Sequence, residues 1–368
     1  MLHWQECGTL FYFSWNCNLL QFACLFPRHV VVSAPTSTKQ QLFCSTVDLL
    51  PDQSCDFVQL SSLSGNRQRR KMMKKLIFAL LYATRLVSVI AWLNRRRIPI
   101  LCYHSVTDSE NPVQPDPHKQ HIPLHLFLQH LDYLKNKYNV VSLSEFQKAK
   151  RENRVLPDYS VVLTFDDGFE DFYKVAAPHI GRRKLPATVF VITDRADGRF
   201  VPDGESFLSW DEIKELSSSG IDIGSHTCSH PRLPDLSLPD VTRELSESYA
   251  AIRLHVGQTQ ISLSYPYGQL SQAISRLAES IGYSCAIAND IGRNDQNTNL
   301  FGLSRTVIAS DDDIATFAGR VSGLTEWISV ARRLFRSETD VSCEPSFSKR
   351  YGSAAAQSYI DSSFFTQR

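Results

Sequence analysis

The chain lacks an excess of charge of either sign: across 368 residues, 39 Lys+Arg stand against 38 Asp+Glu. A protein that tracks phosphates needs a basic excess on its folded domain, so this balance excludes nucleic acid as the expected partner. No CxxC pair or zinc-finger spacing occurs among the nine cysteines, of which Cys7, Cys17, Cys24, Cys44 and Cys55 crowd the amino-terminal stretch. An odd, unpatterned set is no disulfide scaffold, and Cys102, Cys228, Cys285 and Cys343 read as small buried apolar residues. The amino-terminal stretch lacks a basic n-region before its apolar residues and so does not resemble a signal peptide. No internal sequence repeat is visible.

Neither end reads as part of a folded domain. Residues 1–66 are first apolar and aromatic without helical period, then rich in Ser, Thr and Gln. At Arg67 the chain changes abruptly to RQRRKMMKKLIFALLYATRLVSVIAWLNRRR. The functional protein is therefore expected to start at Met72 or Met73, with residues 1–71 an upstream extension. The apolar run Leu76–Leu93 has about the minimum length for a bilayer span, but Arg85 at its middle would cost a few kcal/mol there. Residues 72–97 are read as a membrane-associated or membrane-spanning helix, with a terminal helix packed on the domain as the alternative. Basic residues on both sides suit anionic headgroups and leave its orientation open. Residues 336–368 are Ser-rich and aperiodic, the pattern of a flexible tail.

Between these ends lie short apolar runs rich in β-branched residues, as expected of buried parallel strands. They are residues 98–103, 159–165, 187–192, 221–224, 261–265, 283–288 and 301–308. Helical patterns separate them. Residues 123–138 put Leu124, Phe127, Leu128, Leu131 and Leu134 on one face, Ser209 and Glu212 form a capping-box pattern, and residues 241–257 and 271–283 each close at a glycine. Seven such units predict an α/β barrel, in which chemistry gathers at the carboxyl ends of the strands. Those ends carry Tyr103-His104, Asp166-Asp167-Gly168, Ser225-His226 and Pro266-Tyr267-Gly268.

Two adjacent carboxylates after a buried strand are costly unless a cation or hydrogen bonds hold them. His226 and His230 are four apart and followed by Pro231, a spacing that on one helical turn puts both imidazoles on one side. One Asp and two His form a facial set with positions left for water and substrate, the pattern of a catalytic metal.

TFDDG (164–168), SHTCSH (225–230) and SYPYG (264–268) together resemble the signature of the polysaccharide deacetylases, the NodB-homology group of carbohydrate esterases. The resemblance covers roughly residues 98–310, within a barrel domain expected to span 98–335. It implies a distorted (β/α) barrel of about seven parallel strands, a divalent metal that is usually zinc, and hydrolysis of an N-acetyl group from an amino-sugar glycan. It further implies that Asp167, His226 and His230 hold the metal while Asp166 is the general base. A cation acidifies water and polarises an amide carbonyl, and because Pro266 has no N–H, the Tyr267 N–H is the candidate oxyanion donor. Tyr265 and Tyr267 would either flank the site, where they could pack on a sugar ring, or serve as core aromatics beside the strand end.

Two departures stand out. Many family members take their general acid from a late Leu-x-His motif, but no histidine follows Tyr267. His104 is the remaining candidate, and its YH placement resembles the subgroup that deacetylates exported poly-N-acetylglucosamine. The third motif normally begins with an arginine that orients the base, where this chain has Ser264; Arg305 on the last strand is the expected substitute. Asp311-Asp312-Asp313 reads as a helix N-terminal cluster, and His118, His121, His125 and His130 as a solvated loop and helix face. The barrel is expected at a membrane, outside the cytoplasm. The alternatives are a deacylase of a lipid-linked amino sugar and a glycan-binding barrel without catalysis; oligomeric state is silent.

Overall fold

The computed structural model describes residues 69, 72–108, 120–197, 205–288 and 292–328. Apart from Arg69, the expected extension (1–71) lies outside the described residues, as do the tail, His118 and Cys343. All described residues fall within one unit, Gln59–Arg368.

In chain order the elements are α1 (Met72–Ala83), α2 (Leu86–Leu93), β1 (Ile100–Tyr103), β2 (Ser105–Thr107), β3 (His121–Pro123), α3 (Leu124–Lys137), β4 (Asn139–Val141), α4 (Leu143–Arg151) and β5 (Ser160–Phe165). There follow α5 (Ala177–Arg183), β6 (Thr188–Val191), α6 (Thr193–Ala196), α7 (Trp210–Ser218), β7 (Asp222–Ser225), α8 (Leu238–Val256), β8 (Leu263–Ser264), α9 (Gln272–Ile281), β9 (Ala286–Ile287), β10 (Thr306–Val307) and α10 (Ile314–Ser322). The sheet runs β10-β1-β5-β6-β7-β8-β9, with β4 added beside β5, and its pairings are parallel. All seven expected runs supply strands of this path. A bridge from Ile287 to Leu303 ties β9 to the segment approaching β10, which draws the edges of the curled sheet together. This is a distorted (β/α) barrel.

Burial explains the strand composition. Every residue of β1, β5 and β6 is buried, and the helices close over them. In α3 the side chains of Phe127, Leu131 and Leu134 reach the core. The Ser209–Glu212 capping box forms as expected, and Gly257 and Gly282 end α8 and α9 in left-handed conformations. Cys102, Cys228 and Cys285 are free and buried. The short β4 and the β2–β3 pair were not expected, because strands of three residues leave too brief a pattern to recognise.

Three expectations need correction. Residues 72–97 are not one helix: α1 and α2 meet at an angle of 79°, and no single described helix is long and apolar enough to cross a membrane. The break has a local cause. Arg85 takes a left-handed backbone (φ 60°), and the Thr84 hydroxyl donates back to the Leu80 carbonyl. His130 is not solvated; it is fully buried, stacked on Phe317 with ring centroids 3.9 Å apart, and bonded to the Tyr103 hydroxyl and the Asp312 carbonyl. His121 is half-buried, with Nδ1 2.7 Å from Ser105 Oγ. Of the acidic triplet, Asp313 caps α10, but Asp312 is buried, accepting from Ala309 N–H and pairing with Arg320 at 2.6 Å.

Candidate active site

Because the strands are parallel, the polar groups that follow them gather at one end of the barrel. At the end of β5 the chain turns through Asp167 (φ 70°) and Gly168 (φ 73°), and this turn lets both Asp166 and Asp167 face the centre. A Cβ at Gly168 would stand 3.2 Å from Val191 Cγ1 at a φ that strains any L side chain, so both packing and backbone favour glycine there.

His226 and His230 do not lie on a helical turn as expected. The segment after β7 is an irregular loop with left-handed backbone at Thr227 (φ 67°) and His230 (φ 65°). Such geometry persists only where surroundings over-determine it. Here Ser225 Oγ accepts from Thr227 N–H, Thr227 Oγ1 accepts from His230 N–H, and Glu244 reaches up from α8. The Glu244 carboxylate accepts from the N–H groups of Cys228 and Ser229 and from the Ser229 hydroxyl, at 3.0, 3.0 and 2.8 Å. Sequence reasoning missed Glu244. Its signal was a carboxylate in register with the buried face of α8, beside Val241, Leu245, Ser248 and Ile252.

The result is a tight cluster. Asp167 Oδ1 lies 3.4 Å from His226 Nε2 and 3.5 Å from His230 Nε2. Tetrahedral zinc with bonds of about 2.0–2.2 Å separates its ligand atoms by about 3.4 Å, so these three fit such an ion. The orientation of His226 is also set: Nδ1 lies 2.7 Å from the Ser264 carbonyl, which can only accept, so Nδ1 carries a proton and Nε2 is the nitrogen that faces the centre. Asp167, His226 and His230 are thus residues that could hold a metal, the set expected from sequence.

Asp166 occupies the other half of the cluster. Its Oδ2 accepts from Arg305 Nη1 at 2.5 Å and from Ser264 Oγ at 3.0 Å, while Arg305 Nη1 also donates to Ser264 Oγ at 2.9 Å. Among the described residues its Oδ1 is buried without a hydrogen-bond partner, as is His104 Nδ1. Cys102, His104 and Asp166 bring ligand-type atoms within 4.8 Å of one another. The expected partnership of Arg305 with Asp166 therefore exists, and Ser264 supplies the space and an additional donor.

The electrostatics follow from burial opposed by charge. Burial pushes the Asp166 carboxyl up, but Arg305, then His226 and His104, outweigh it and hold the group below its ordinary value. For Asp167 burial is likewise overcome, by the His226 hydrogen bond and the nearby imidazoles. Burial lowers the His104 pKa and lowers that of His230 to about 4. His226 goes up, because the two aspartates outweigh its burial.

The third motif divides. Tyr265 is core rather than a wall of the site: it is fully buried and its hydroxyl donates to the Phe301 carbonyl. It directly follows β8, and its side chain points into the packing between β8 and α9. Tyr267 is exposed, with its ring 4.8 Å from His230 and the Arg232 guanidinium 4.7 Å from its centroid. Its N–H has no hydrogen-bond partner among the described residues.

Comparison with known proteins agrees with this geometry. Residues 153–286 match the family profile named polysaccharide deacetylase. YxkH of Bacillus subtilis, which carries the polysaccharide deacetylase name, is 25% identical over 238 residues, 64% of this chain and 80% of the relative. The poly-β-1,6-N-acetyl-D-glucosamine N-deacetylase of Staphylococcus aureus is 24% identical over 180 residues, 46% of this chain and 61% of that enzyme. Among solved structures, the Streptococcus pyogenes deacetylase PplD in complex with acetate superposes with a TM-score of 0.56 at 26% identity, covering 61% of this chain and 98% of that one.

Proposed function

We propose that this chain, which belongs to the polysaccharide deacetylase family and is a hydrolase of amide bonds, removes N-acetyl groups from a polymer of N-acetylglucosamine in a metal-dependent reaction. The observation that carries this reading is the convergence of Asp167, His226 and His230 beside an Asp166 whose Oδ1 is unpartnered. The staphylococcal relative's substrate supports the choice of glycan, as does the His104 placement that resembles the same subgroup.

A divalent cation, zinc by the ligand set, would supply polarisation of the amide carbonyl and acidification of the attacking water. The protein's own groups do the rest. Asp166 is held ionised by Arg305 and Ser264 at Oδ2, leaving Oδ1 to take the proton from water. The Tyr267 N–H donates to the oxyanion as the carbonyl becomes tetrahedral. His104, at the end of β1 beside Asp166, hands a proton to the amine as the C–N bond breaks. Acetate and a free amino sugar leave. The exposed Tyr267 ring, backed by Arg232, offers a face for a sugar. The same proposal puts the barrel outside the cytoplasm at a membrane, where an exported polymer is met.

Acetate release from N-acetylglucosamine oligomers, assayed with and without a chelator, tests this reading. Activity should vanish on metal removal, return with zinc, and stay low in Asp166→Asn. Release indifferent to both treatments overturns the mechanism.

A further inference from the structure

We propose that α1 and α2 form a monotopic anchor, lying flat in the interface of an anionic bilayer and holding the barrel with its catalytic mouth turned away from the lipid. One side of the pair is committed to the protein. Phe78 (1% exposed) and Val87 (2%) pack with Ala318 and Leu324, and a Cβ at Gly319 would stand 2.3 Å from the Phe78 ring, so the small residue on α10 makes room for the aromatic. The opposite side is apolar and open. Leu76 is 70% exposed, Leu80 62% and Trp92 53%, joined by Ile77, Leu86, Val89 and Leu93.

Isolated exposed apolar residues are ordinary, but seven large apolar side chains exposed on two successive helices call for a cover. Charge selects it. No Asp or Glu occurs between Arg67 and Arg97, and Lys74, Lys75, Arg85 and Arg96 are exposed along the pair, with Asp158 as the acidic partner of Arg95 and Arg96 at one end. Apolar bodies flanked by cations match an acyl boundary beneath anionic headgroups. The 79° bend and the commitment of Phe78 and Val87 to the barrel are incompatible with a straight span.

Orientation follows from the connection to the sheet. Asn94, just after α2, donates to the Ser322 carbonyl at the carboxyl end of α10, and Ile98 bridges Asn294 before β1 begins. The anchor thus enters at the amino end of β1, whereas His104 stands at its other end, level with the rest of the site. A mouth turned outward suits a polymer better than a sugar held on a lipid carrier.

The test is flotation of the full chain with vesicles of phosphatidylcholine alone and of equal parts phosphatidylcholine and phosphatidylglycerol. Binding is expected to the mixed vesicles, and the triple variant Leu76→Glu, Leu80→Glu, Val89→Glu should reduce partitioning at least about tenfold. Retained thermal stability of the variant shows that it folds. Brominated lipids should quench Trp92, judged against Trp92→Phe, most strongly from positions near the headgroup. Equal binding to neutral vesicles, strongest quenching from chain-end bromines, loss of residues 72–97 by processing, or a dimer that the triple variant converts to monomer without any lipid binding would each overturn the anchor. Loss of oligomer hydrolysis when an active preparation binds vesicles would overturn the orientation. An inactive preparation that still floats would separate failure of the catalytic reading from failure of this one.

Discussion

Arg305, just before β10, reaches across β1 to place Nη1 2.5 Å from Asp166 Oδ2 at the end of β5. Ser264 on β8 completes the contact from the opposite direction. A base carboxylate gripped at one oxygen keeps its other oxygen aimed and ionised. Arg305→Ala should lower kcat/KM at least about 100-fold, within the usual worth of a general base. It should also move the acid limb of the pH profile upward, because burial then acts on Asp166 without its main opposing charge. Turnover equal to wild type from pH 5 to pH 9 would remove the assigned role.

Glu244 is a positioning residue for the His230 loop. Glu244→Gln keeps the volume but removes the charge and replaces one of the two acceptor oxygens that hold the Cys228 and Ser229 N–H groups and the Ser229 hydroxyl. Metal affinity should fall about 10- to 100-fold while kcat at saturating metal changes little. Competition titration against a chromophoric chelator reads the first quantity and steady-state kinetics the second.

His130 makes stability depend on pH at a distance from the metal site. Burial lowers its pKa from 6.5 to about 4, so the unfolded chain takes up a proton before the folded one does. Stability should therefore be complete above pH 6.5 and decline as pH falls toward 4, by at most about 3 kcal/mol from this group. Thermal melts of His130→Gln should show a lower midpoint at neutral pH and a shallower loss on acidification over that window.

Gly224 and Gly181 should respond oppositely to alanine. A Cβ at Gly224 would stand 2.4 Å from the Phe190 ring, whereas at Gly181 nothing lies within 4 Å. Chemical denaturation should show Gly224→Ala destabilised by about 1–3 kcal/mol, and Gly181→Ala, inside α5, unchanged or stabilised by about 0.5–1 kcal/mol.

The strand runs were legible because a parallel barrel buries both faces and leaves continuous apolar segments such as SVVLTF. The site was legible because its polar residues directly follow those segments. Three features escaped for physical reasons. The left-handed backbone at Thr227 and His230 depends on Glu244, which sits fourteen or more residues away in sequence, so a local spacing argument supplied a helix instead. His130 looks like a polar helix position until α10 is laid against it. Tyr265 and Tyr267 share a motif, yet the turn between them sends one into the core and the other to the surface. Arg305, by contrast, is legible in the sequence as the strand-end cation left to pair with Asp166 once Ser264 stands in the arginine position.

The most direct test of the account is zinc bound at equilibrium, measured by elemental analysis on wild type, Asp166→Asn, Asp167→Ala and His230→Ala. Wild type and Asp166→Asn should each hold a single equivalent, the second without releasing acetate, and the other two variants should lose the ion. A wild-type protein that binds no zinc and still releases acetate would contradict it.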